Sequence, residues 1–306
     1  MNPQWLLWLR YYAVFQNLAR LPLPLAYRAA SRIGQLDYHR QPAARQYIET
    51  GMQQILPAHL ADPAQREQYI QAYFGMMARE LLDTFVMARM RPQRQNLLTL
   101  AAGSLDVLHA ARHGGRGVII AMNHFSRINM LLLALALAGE RLGMLTMVTD
   151  ERNRDLDPVS RRYLQFKIGT LVHFIQGRWI TLGDDMRVLY QALAQGETIV
   201  LLLDSHTPDR AQKRLRMPFF EGSLSVARGV ARLAEKTGAG IVYGVPHENG
   251  WRINAELRSL PEDPYQAVEA AVGELQRDII RAPGPGGTGI PGNPSGRRIN
   301  QRGRYR

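Results

Sequence analysis

From Gly117 to Ile280 the sequence alternates short apolar runs with longer amphipathic stretches, and that alternation leaves few folds open. Gly117–Met122, Met144–Val148, Leu171–Ile175, Thr198–Leu203, Gly240–Val245 and Arg252–Leu257 read as strands. Met130–Ala138, Val159–Lys167, Asp184–Ala194, Leu224–Glu235 and Tyr265–Ile280 read as helices. Such alternation specifies an α/β fold: a mixed, largely parallel sheet flanked by helices. Sites in sheets of this kind lie at the carboxyl ends of the strands, so those ends are where chemistry is sought.

Residues 1 to about 112 read as helical instead. Leu21–Pro22–Leu23–Pro24 breaks the first helix and Tyr27–Ile33 resumes it. Arg45–Leu56 and Gln65–Met90 follow, with Pro57 and Pro63 between them where helix boundaries belong. The stripe Tyr69, Ala72, Tyr73, Met76, Met77, Leu81, Phe85 has helical spacing and reads as core. Near the start, Trp5, Leu6, Leu7, Trp8, Leu9, Tyr11, Tyr12 and Phe15 are punctuated by Arg10 and Arg20. Tryptophan and tyrosine favour a lipid–water boundary and arginine favours anionic headgroups, so residues 1–40 fit helices lying in a membrane interface. An ordinary core helix is the alternative. The expected organisation is 1–40 interfacial, 41–112 a helical subdomain, 113–281 the α/β domain, and 282–306 a disordered basic tail.

Composition narrows the function. With no cysteine in 306 residues, disulfides, thiol nucleophiles and thiolate metal sites are excluded. Between Arg281 and Arg306 lie six arginines and no acid, half of the net +12, so the body is only mildly basic. That body suits anionic lipid or an acidic carrier protein as readily as nucleic acid; a nucleic-acid reading rests mostly on the tail, and no nucleic-acid partner is expected. Val118–Ala138, the most apolar stretch, is interrupted by Asn123, His124, Arg127 and Asn129 and is too broken to span a bilayer. The N-terminus has no basic region or small-residue cleavage site of a secretory signal.

The first strand ends in Ala121–Met122–Asn123–His124–Phe125–Ser126–Arg127–Ile128–Asn129. A histidine at a strand end can serve as general base if an acceptor on its other ring nitrogen fixes the tautomer. Asn129 is the nearby candidate acceptor, provided Ser126 caps the helix and Asn129 is its third residue. A strand-end histidine beside a polar helix start fits the same residues.

This stretch resembles the His-x4-acid block of the glycerolipid and lysophospholipid acyltransferase superfamily, most closely the late acyltransferases of lipid A synthesis, whose block reads Gly-His-Phe-Gly-Asn-Trp-Glu. The resemblance runs from about residue 5 to 281 with block order intact. Phe174–Arg178 falls where that family has a strand and a functional arginine, and Val200–Asp204 where it has an apolar strand ending in aspartate. Met217–Phe220 resembles its Pro-Phe-Phe block, and Gly229–Ala239 its helix ending in a Thr-Gly-Ala turn. The chain departs in carrying Asn129 for the acid, Glu221 for a glycine, and Ser205–His206 for a polar pair; its tail also lacks the family's aromatic ending.

The resemblance implies O-acyl transfer from acyl carrier protein or acyl-CoA, as cosubstrate, to a hydroxyl of a lipid or glycolipid, with no metal or redox cofactor. It implies a peripheral protein on the cytoplasmic face of the inner membrane. His124 would be the base, Asn129 its partner and Arg178 a phosphate clamp. Arg127, Asp204, Phe219 and Phe220 would contribute to substrate binding, Asp204 by meeting a cation or N–H donors at its buried strand end. The alternative is a catalytically degenerate relative that binds lipid or a partner enzyme. A gain in turnover on Asn129→Asp would mark a handicapped enzyme.

Overall fold

The computed structural model describes residues 3–55, 62–204 and 214–281. His206 and the basic tail therefore lie outside the described residues. The chain opens with α1 (Pro3–Trp8), a π-helical turn over Leu9–Phe15, and α2 (Gln16–Leu18). Helices α3 (Leu23–Arg40), α4 (Pro42–Ile55) and α5 (Pro63–Met87) follow. Pro63 stands at the first position of α5, where its missing N–H costs nothing, and Asp62 caps it by accepting from the Ala64 N–H at 3.1 Å.

The α/β part contains β1 (Leu98–Leu100), α6 (Ser104–Ala110), β2 (Val118–Met122), α7 (Asn129–Leu137), β3 (Leu142–Thr146), α8 (Pro158–Ile175) and β4 (Gln176–Thr181). It continues through α9 (Arg187–Ala194), β5 (Thr198–Leu202), β6 (Arg214–Phe219), β7 (Gly222–Ala227), α10 (Gly229–Thr237), β8 (Gly240–Asn249), β9 (Arg252–Ser259) and α11 (Pro264–Arg281). Seven strands form one sheet in the order β1-β9-β8-β2-β5-β3-β4. The run β8-β2-β5-β3-β4 is parallel throughout, while β9 is antiparallel to β8. The fold is thus α/β with a mixed, mostly parallel sheet.

Central strands are apolar on both faces because both are covered. In β2, Val118, Ile120 and Met122 enter one core with α7, α8 and the N-terminal helices, while Ile119 and Ala121 enter another with α9, α10 and α11. The N-terminal helices belong to the first core outright: Tyr11, Phe15, Tyr27, Leu82 and Phe85 pack in the same cluster as Val118 and Ile120. Residues 98–100 also supply an edge strand of the sheet, so the helical segment and the α/β unit share one core.

Three segments differ from the sequence reading. Leu171–Ile175 is the end of α8, whose buried positions Tyr163, Ile168, Leu171 and Ile175 follow helical spacing; β4 starts only at Gln176, in the left-handed region at φ 53°. Leu224–Glu235 divides into β7 and α10. Leu224 and Val226 are buried while Ser223 and Ser225 are exposed, a period of two that no helix produces. Finally, β6 pairs with β7 as a hairpin outside the main sheet.

Candidate active site

His124 and Asp204 meet because of strand register. Strands β2 and β5 are parallel neighbours with Met122 opposite Leu202, and each functional residue lies two positions beyond its paired strand residue. The Leu203 N–H donates to the Met122 carbonyl at 2.8 Å, which carries the pairing past the strand ends. The chain leaving β2 goes to one face through α7, and that leaving β5 returns on the other face through α10. This divergence at the carboxyl end marks the position at which open α/β sheets form a ligand crevice.

At that position the backbone N–H of His124 donates to Asp204 Oδ2 at 2.8 Å, and the ring Nδ1 lies 2.9 Å from Oδ1. The Asp204 side chain is 6% exposed and the His124 side chain 40%. An ionised carboxylate only accepts, so Nδ1 carries the proton and the neutral ring has its lone pair on Nε2. This is the orientation a general base requires.

Spacing in the sequence offers Asn129 as the acceptor, whereas the geometry gives Nδ1 to Asp204. Ser126 adopts a left-handed φ of 58° and makes no capping bond; α7 begins at Asn129, its first residue and not its third. Asn123, Ser126 and Asn129 are all buried, and both side-chain polar atoms of Asn123, Ser126 Oγ and Asn129 Nδ2 have no hydrogen-bond partner among the described residues. Unsatisfied buried polar groups are rare, and these four atoms all lie on residues 123–129, around His124.

Arg127 does not face the crevice. Its side chain is fully buried, its Nε donates to Asp83 Oδ2 at 2.8 Å and its Nη2 to Asp83 Oδ1, and its guanidinium lies 4.4 Å from the Tyr27 ring centre. Burial, the largest single influence, would lower the guanidinium pKa; the charge and hydrogen bonds of Asp83, together with Tyr27 and Glu248, outweigh it and raise the value, so the group stays charged. Arg178 is also elsewhere. It bonds Glu197 at 2.7 Å and Gln195 at 2.6 Å, and Glu197 precedes β5 at its amino end. Asp204 lies past the opposite, carboxyl end of β5, so the five-residue strand, roughly 16 Å at ~3.3 Å per residue, separates the two. Phe219 is buried in the core that contains α11 and stacks edge-on with Phe220 at 4.8 Å, at the tip of the β6–β7 hairpin.

The base of that hairpin is the part near the site. Arg214 pairs with Ala227, whose N–H donates to the Leu203 carbonyl at 3.0 Å, beside Asp204. Arg214 Nε donates to Ser225 Oγ at 2.7 Å. Burial lowers its guanidinium pKa and the charge of Asp204 opposes the shift. In the sequence Arg214 carries a single signal, its position just ahead of the Pro-Phe-Phe block.

Among the described residues no group of three or more His, Asp or Glu side chains is arranged to hold a metal ion, and no helix is long and apolar enough to cross a membrane. A groove of about 550 Å³ opens between α5 and α8, lined by Met87, Met90, Phe166 and Phe174 among others. None of its lining residues belongs to the His124 turn, β5 or the hairpin.

Residues 1–284 match the family of bacterial lipid A biosynthesis acyltransferases, a stretch that takes in every described residue. The chain belongs to that family. Among curated proteins it has no significant match. Acyl transfer to a lipid A-like lipid is thus the activity of the family to which this chain belongs.

Proposed function

We propose that the protein transfers a fatty acyl group from a thioester, acyl carrier protein or acyl-CoA, to a hydroxyl of a lipid A-like glycolipid. The transfer takes place at the cytoplasmic face of the inner membrane, with the protein bound peripherally. The observation that carries the reading is the buried Asp204 carboxylate on Nδ1 of a ring still open to solvent. His124 Nε2 takes the proton of the acceptor hydroxyl as its oxygen attacks the thioester carbonyl. The tetrahedral oxyanion collapses, the C–S bond breaks, and the imidazolium returns its proton to the departing thiolate. Asp204 stabilises that imidazolium, as the buried acid of a serine-protease triad does. Asn129 Nδ2, a buried donor without a partner among the described residues, is the group we assign to the oxyanion. The acidic partner that Asn129 would have withheld is supplied by Asp204, just past the end of β5, which supports an active enzyme over a degenerate binding protein.

Association with the membrane is supported by an apolar surface on the N-terminal layer. Trp5, Leu6 and Trp8 of α1 are exposed, as are Leu25 and Leu36 of α3, with Arg28 and Arg32 between the latter two. Apolar side chains flanked by arginine and lacking an exposed acid suit an anionic lipid–water boundary.

The test is the lipid profile of cells with the gene intact, deleted, and restored with His124→Ala. One acylated glycolipid should be absent from both the deletion and the His124→Ala strain. Its full restoration by His124→Ala would overturn the reading.

A further inference from the structure

Three residues after His124, Arg127 reaches away from the crevice into the N-terminal layer. Its Nε and Nη2 both donate to Asp83 of α5, its Nη1 donates to the Trp251 carbonyl at 3.2 Å and approaches Glu248 of β8 at 3.5 Å, and its guanidinium stacks on Tyr27 of α3. Tyr27 closes the set by donating its hydroxyl to Asp83 at 2.6 Å. All four side chains are at most 1% exposed. Arg79 of α5 adds two bonds to Glu248, at 3.0 and 2.6 Å, so two guanidinium groups meet two carboxylates and the network is neutral.

Stability alone gives no reason for a guanidinium in this position. Desolvating two ions offsets most of their attraction, and apolar residues of similar volume are commonly at least as stable. What an arginine supplies is direction, because its planar donors fix the backbone that bears it relative to the carboxylate. The turn needs such fixing. Ser126 holds a left-handed φ of 58°, which an L-residue keeps only when its surroundings enforce it. Ser126 Oγ and both polar atoms of Asn123 make no hydrogen bond among the described residues, so local side-chain bonds do not enforce it.

We propose that Arg127 is a positioning residue for acyl transfer: its buried pair with Asp83, backed by Tyr27, clamps the His124 turn to α3 and α5, so that the His124–Asp204 geometry depends on the N-terminal layer. The proposal rests on the acyl-transfer reading for its kinetic consequence, though not for the clamp itself.

Two variants of the full-length protein test it. Tyr27→Phe removes one hydroxyl from an element that does not touch the crevice. The triple variant Arg127→Met/Asp83→Leu/Tyr27→Phe replaces the pair by apolar groups and leaves Glu248 bonded to Arg79. Each is measured by thermal unfolding, by kcat and KM with an acyl-carrier-protein thioester and lipid A precursor in vesicles, and by amide hydrogen exchange over residues 118–129. Tyr27→Phe should lower kcat about 3-fold or more with KM unchanged, and speed exchange at residues 124–128 while β2 stays protected. The triple variant should lower kcat at least 10-fold in a folded protein. Wild-type kcat and wild-type exchange at the turn in folded Tyr27→Phe would overturn the proposal, whether or not the triple variant folds. Should the unmodified protein transfer no acyl group, exchange alone decides: faster exchange confined to the turn keeps the clamp and discards the activity, and unchanged exchange discards the clamp.

Discussion

An imidazole acts as a base only when its neighbours decide which nitrogen holds the proton, and here the deciding neighbour is Asp204. Replacing Asp204 by Asn keeps the shape, removes the charge and permits the wrong tautomer; by analogy with the serine-protease acid, kcat should fall by ~10⁴. Asn129→Ala should cost on the order of 10²-fold, the usual loss for one oxyanion donor. Asn129→Asp should lower turnover too, because a carboxylate there repels the developing oxyanion, whereas an Asn129 that merely replaced the missing acid would give a gain. Steady-state kinetics of the three variants separates these readings. The strand end, the histidine and the aspartate were all legible in the sequence. Their partnership was not, because residues 80 apart meet only through the β2–β5 register. Arg127 was misplaced for a related reason: a charged residue next to a candidate base reads as a ligand contact until its buried counter-ion, 44 residues upstream, is seen.

Helices and strands were legible wherever one periodicity dominated. Buried β2 and capped α5 lie close to their expected bounds, whereas the short apolar run at the end of α8 satisfies helix and strand patterns equally. The basic segment of β6 satisfies neither, and that is why the hairpin beside Asp204 was missed. Two expectations belong to this scale. Helices α3 and α5 cross at Gly34, where an added Cβ would overlap the Phe74 carbonyl and lie 2.7 Å from Gly75 Cα. Gly34→Ala must push the helices apart and should cost about 1–3 kcal/mol, read as a lowered Tm. Glu140, after α7, gives a pH signature. Burial pushes its carboxyl up, but bonds from His109 at 2.7 Å and Arg112 at 2.5 Å outweigh this and hold it below the usual carboxylate range. A folded-state value below the unfolded one means that the unfolded chain binds the proton more readily, so stability rises with pH. The contribution is complete above the ordinary glutamate value of ~4.3 and is lost as pH falls through the depressed one. Tm measured through that acidic window should fall less steeply in Glu140→Gln.

At the scale of the molecule, the N-terminal layer faces outward with Trp5, Trp8, Leu25 and Leu36 and inward with Tyr27 and Asp83, so one set of helices carries both the exposed apolar side chains and the buried partners of the His124 turn. The outward half was legible as an aromatic and basic composition. The inward half was not, because a shared core between residues 11–87 and the sheet leaves no local signal in either segment. Trp5→Ala/Trp8→Ala should weaken binding to anionic vesicles several-fold and leave Tm near its original value, and high salt should weaken the unmodified protein in the same assay. The most direct test of the account is mass spectrometry of a lipid A precursor incubated with an acyl-carrier-protein thioester and the purified protein. One added acyl chain is expected with the unmodified protein, with none detectable for His124→Ala and only a trace for Asp204→Asn. Equal product from all three, or none from the unmodified protein, would contradict it.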